Sequence, residues 1–153
     1  MSSARDKLVW AGEAVARSMR FSREDIAAFA RISFDENPLH VHHVDTQAAQ
    51  RARFGEGRAS GQHTAAVLMG LLATHYSRLD NDAAREMLCL NMNFAFKGPV
   101  FADQALTLDW RVATVEWNTK LDGALAHLDG RAAVLRTQPA VVARGTILVR
   151  QVG

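Results

Sequence analysis

The chain has 153 residues, 22% of them charged, a formal net charge of +2 and one cysteine. That length allows one domain, here 1–153, with a core large enough to need no disulfide, and the spread arginines lack the clustered basic run with aromatics that nucleic-acid binding uses. No apolar run approaches membrane-spanning length, and Met1 to Lys7 hold no signal-like block. The expectation is a soluble, cytoplasmic protein with neither membrane nor nucleic-acid partner.

In chain order, Ser22-Arg-Glu-Asp25 followed by Ile26, Phe29, Ala30 and Ile32 predicts a capped helix with one apolar face, ending just before Asp35. Asp45 heads a short second helix, which Gly55-Glu-Gly57 breaks. From Ser60 to His75 the sequence is apolar nearly all round, as in a buried helix. The period then changes. Leu88, Leu90, Met92, Phe94 and Phe96 alternate with smaller or more polar residues, as do Leu106, Leu108, Trp110 and Val112, predicting long strands with one inward face. Gly98-Pro99 ends a strand, Asp122-Gly123 and Asp129-Gly130 mark turns, and Ala140 to Val149 forms a last strand. One buried helix followed by antiparallel strands is an α+β arrangement.

The most informative stretch is Asp35-Glu-Asn37-Pro38-Leu-His40, with a carboxylate and an imidazole five residues apart. Pro38 fixes its own φ and pushes Asn37 out of the helical region, so the segment bends and the two side chains can converge on one water. The alternative is a plain loop, with Asp35 capping a turn and His40 on the surface. His40, His42, His43 and Asp45 also have the donor types of a metal site, though adjacent His42 and His43 point to different sides of an extended chain; no metal is expected. His63 and His75 read as hydrogen-bonded structural histidines, Met69, Met87 and Met92 as core, and Cys89, without a local basic partner, as unreactive.

Phe29-Ala-Arg-Ile-Ser-Phe-Asp35-Glu-Asn-Pro-Leu-His40 resembles the signature of the MaoC-like, or (R)-specific, enoyl-CoA hydratases. Arg53-Phe54-Gly55 with Ala59-Ser60-Gly61, and Phe96-Lys97-Gly98-Pro99-Val100-Phe101, are similar to the family's second and third landmarks, in family order. The chain departs at Phe34, where the family has Gly, and at Ser60, where it commonly has His. Arg53 also lies about three residues further from His40 than the family spacing, which His43 would restore; His43 is the rival to His40. The resemblance implies a hotdog fold, a curved antiparallel sheet wrapped around a long central helix. It implies hydration of trans-2-enoyl-CoA to (R)-3-hydroxyacyl-CoA by an Asp35/His40 acid/base dyad, with coenzyme A thioester as substrate and no other cofactor. The Gly61 amide at the helix start would be the oxyanion donor, with Ser60 and Asn37 as further substrate-binding candidates. It also implies a homodimer, or a dimer of dimers, with the acyl tunnel at the subunit junction. Two rivals share the fold: an acyl-CoA thioesterase, although no Asp or Glu occurs between Gly61 and Arg78, and a non-catalytic acyl-binding subunit.

Overall fold

A computed structural model of the protein describes residues 5–37, 57–77, 84–135 and 138–152. In chain order these form β1 (Ala14–Met19), α1 (Arg23–Ile32), β2 (Arg58–Ala59), α2 (Gly61–Tyr76), β3 (Arg85–Phe96), β4 (Val100–Phe101), β5 (Leu106–Asn118), β6 (Gly123–Leu135) and β7 (Gln138–Gln151). Five strands make one antiparallel sheet in the order β1-β5-β6-β7-β3, and β2 pairs with β4 in a separate two-stranded ribbon. The proposed second helix at Asp45 lies outside the described residues.

β5 follows the alternation of its sequence. Leu106, Leu108, Trp110 and Val112 are fully buried, while Thr107 and Arg111 between them are exposed. α2 is apolar on several sides because several sides are covered: it lies against all five strands of the main sheet, which therefore curls around it. Leu68 and Leu72 are wholly buried at its centre. There the indole of Trp110 fills the gap between sheet and helix and donates its Nε1–H to the Leu68 carbonyl at 2.7 Å. This sheet wrapped around one helix is the hotdog fold.

Two expectations are corrected. Asp129-Gly130 is not a turn, because β6 runs unbroken through it. Gly130 is there for space: a Cβ would come within 2.5 Å of the Trp110 ring lying over it. Asp122, by contrast, does end a tight connection between β5 and β6, at φ +50°. In β3, the five large residues expected on one face do not share one. The pairing with β7 shifts between Cys89 and Asn91, a bulge that reverses the phase of the strand. Met92 and Phe94 pack on the core, whereas Leu88 and Leu90 stand about half exposed. Gly145 permits the bulge, since a Cβ there would meet the Asn91 carbonyl oxygen at 2.4 Å.

At the C-terminal end of α2, the Oε2 of buried Glu13 accepts hydrogen bonds from Arg85 and from His75 Nε2, both at 2.8 Å. Arg85 also donates to the Leu8 carbonyl and stacks 4.3 Å from the Tyr76 ring centroid. This cluster joins the start of β1, the end of α2 and the start of β3, and it gives His75 the structural role expected of it.

Candidate functional site

The site is built at the other end of α2, where α1 delivers the chain. Ser22 and Asp25 form a reciprocal capping box, so α1 starts at a fixed residue. The Ser22 hydrogen bonds hold the Asp25 carboxyl below the usual carboxylate range. α1 ends as definitely as it begins. Phe34 adopts the left-handed conformation at φ +57°, its N–H bonds to Arg31 O, and the Asp35 N–H bonds back to Ala30 O at 2.8 Å. These are the two bonds of a Schellman motif. Phe34 thus sits in a left-handed position of the kind glycine adopts freely, with its ring 91% exposed.

α1 is docked on the first turn of α2 by three rings. His63 is stacked face to face on Phe29, with centroids 4.2 Å apart, and lies at the same distance from Phe21. The buried His63 Nδ1 has no hydrogen-bond partner among the described residues. That corrects the expectation of a hydrogen-bonded histidine: ring packing is what the structure shows holding it. Burial pushes its pKa down, against a smaller upward pull from Asp25.

The docking brings the Asp35 carboxylate to the start of α2, 27 residues away in sequence. Its Oδ1 accepts the Asn37 N–H at 2.9 Å, and its Oδ2 accepts Nε2 of Gln62 at 3.4 Å. Ser60 is buried as the N-cap, with its Oγ accepting the His63 N–H at 3.1 Å. Beyond that cap, the N–H groups of Gly61 and Gln62 have no acceptor among the described residues, as the first turn of a helix dictates. Pairing of Ala59 with Val100 seats this turn beside the Lys97-Gly98-Pro99 segment, and a cleft of about 420 Å³ opens between them. Its walls include Arg58, Ser60, Gly61, Gln62, Phe96 and Lys97. The Phe96 ring lies flush on Gly61, within 2.5 Å of where a Cβ would be. Absence of a side chain at Gly61 thus serves this packing as well as leaving its amide open.

Of the residues read from the sequence, Asp35, Asn37, Ser60 and Gly61 are gathered here. His40, its rival His43, and the His42 and Asp45 of the possible metal cluster lie outside the described residues. Gln62 and Phe96 went unnoticed as site residues. A polar side chain next to the helix-opening glycine was the available signal for Gln62.

The structure thus defines a hotdog domain in which a carboxylate lies against the first turn of the central helix. The chain belongs to the MaoC-like domain family, whose sequence profile matches residues 11–126. It is similar to a mitochondrial 3-hydroxyacyl-[acyl-carrier-protein] dehydratase of Arabidopsis thaliana, 27% identical over 78% of this chain and 66% of the plant protein's length. It is also similar to the (R)-specific enoyl-CoA hydratase of Aeromonas caviae, 29% identical over 68% of this chain and 71% of that protein. The solved structure of the A. caviae (R)-hydratase involved in PHA biosynthesis superposes with a TM-score of 0.74 at 25% identity, covering 91% of this chain and 96% of that one.

Proposed function

We propose that this protein reversibly adds water across the double bond of trans-2-enoyl-CoA thioesters to give (R)-3-hydroxyacyl-CoA. The observation that carries this reading is the placement of the Asp35 carboxylate in contact with the first turn of α2, beside the Gly61 and Gln62 N–H groups that have no acceptor among the described residues. Hydration of a conjugated thioester makes two demands on a site. A water must be deprotonated as its oxygen attacks the β-carbon while the α-carbon gains a proton, and the thioester oxygen must be stabilised as charge builds on it. Asp35 and His40 are the proposed pair for the proton transfers, and the Gly61 N–H, at the positive end of the helix dipole, the proposed donor to the oxygen. The water supplies both the hydroxyl and a proton, so the reaction is redox-neutral and needs no cofactor. The absence of any Asp or Glu on α2 speaks against the thioesterase alternative.

The deciding experiment follows crotonyl-CoA and longer enoyl-CoA esters by loss of enoyl absorbance, with free thiol measured in parallel. Loss without thiol is the expected result; thiol release would mean hydrolysis and overturn the reading. Asp35→Asn and His40→Ala should each lower kcat at least about a hundredfold, and the double variant should be little worse than either. A large loss in His43→Ala with His40→Ala unaffected would transfer the role to His43.

A further inference from the structure

The Asp35 carboxylate accepts hydrogen bonds at both oxygens, from its own loop and from another element. The Asn37 N–H to Oδ1 is a local turn contact, whereas Gln62 Nε2 to Oδ2 reaches across from α2. A carboxylate is acceptor-only, so Gln62 must present its NH₂ to it, leaving Oε1 without a partner among the described residues. The final torsion of an Asp side chain is broad and roughly two-fold, so a donor from its own loop does not by itself set the carboxylate's orientation relative to α2. The Gln62 donor ties it to the helix whose amides face the cleft. Because a shift of about 1 Å in a reacting group costs on the order of a hundredfold in rate, that tie matters for a base that must meet one water.

We infer that Gln62 is the positioning residue that aligns Asp35 with the start of α2, an assignment that rests on the proposed hydratase reading. Gln62 acts through Asp35: it sets where the carboxylate points, and contributes little to substrate affinity. Being exposed, it also contributes little to folding. Its loss therefore belongs in kcat.

The test uses the full-length protein and crotonyl-CoA, comparing wild type, Asp35→Asn, Gln62→Leu and Gln62→Glu, with a thermal melt of each. Gln62→Leu should lose about tenfold in kcat, as expected for removing one hydrogen bond to a charged group, with KM and melting temperature unchanged. Gln62→Glu carries the informative signature. When ionised, the introduced carboxylate repels Asp35 and activity falls well below wild type; when protonated, it donates an O–H to the same oxygen, so the activity of this variant relative to wild type should climb as pH falls. A residue that is merely structural gives no such pH-dependent recovery. Wild-type kcat in Gln62→Leu, or a raised KM with kcat unchanged, while Asp35→Asn is inactive, would overturn the assignment and leave the hydratase reading standing. Full activity in Asp35→Asn, or no hydration by wild type, would overturn both.

Discussion

His63 combines a titratable ring with a setting that disfavours its charge. It is buried between Phe21 and Phe29, and its Nδ1 lacks a hydrogen-bond partner among the described residues. Desolvation lowers its folded-state pKa below the unfolded value of about 6.5. The unfolded chain therefore takes up the proton first as pH falls. The stability contributed by neutral His63 is fully present above about pH 6.5 and is lost progressively as pH drops toward the depressed folded value. The melting temperature of wild type should decline below that pH, and the decline should be shallower in His63→Phe, which keeps the ring packing without the titration. Parallel profiles for the two proteins would show that other groups govern the acid sensitivity.

At the scale of elements, the junction from α1 to the Asp35 loop decides where the carboxylate can be. The capping box fixes the start of the helix and the Schellman bonds fix its end, so the Asp35 N–H is anchored to Ala30 O whatever the following loop does. Phe34 occupies the one position of that turn with a positive φ. A left-handed conformation costs an L-residue about 1–2 kcal/mol, and the exposed ring recovers little by packing. Glycine removes the penalty but adds about 0.4–1 kcal/mol of unfolded-state freedom. Phe34→Gly should therefore raise stability in urea unfolding by up to about 1 kcal/mol. A loss of similar size would show that the Phe34 ring makes stabilising contacts of its own.

The whole molecule presents β3 as an edge of the main sheet, bonded to β7 on one side only among the described residues. It is twelve residues long, and Leu88, Leu90 and Phe96 on it are about half exposed. A long, partly apolar edge invites pairing with another chain, and Phe96 on this edge also walls the cleft beside Gly61. Pairing of two copies along β3 would extend the sheet and enclose the cleft together. Light scattering is expected to report a dimer or a dimer of dimers, with specific enoyl-CoA hydration falling as dilution dissociates it. Full activity in a stable monomer of about one chain mass, 16.8 kDa, would refute this assembly.

Much of this architecture was legible one segment at a time. α2 occupies almost the span expected from its all-round apolarity, the Ser22 cap starts α1, and the alternation in β5 matches burial residue for residue, because caps and periodicity are written in neighbours three or four positions apart or closer. β1, whose Ala-Val-Ala-Arg-Ser-Met carries no clean alternation, was not foreseen; its pairing with β5 from Ala14 opposite Arg111 to Met19 opposite Leu106 defines it. The bulge in β3 escaped for a related reason. A run of apolar residues at period two looks the same with or without a phase reversal, and only the register against β7, where Cys89 faces Ile147 and Asn91 faces Thr146, distinguishes them. Gly130 resembles a turn residue until the Trp110 ring is seen above it. The candidate site divides along the same line: residue types and local spacing nominated Asp35 and the family resemblance added Gly61, but Gln62 joined them only through the docking of α1 on α2. Contact between side chains 27 residues apart depends on how two helices pack, and that is a property of the folded chain.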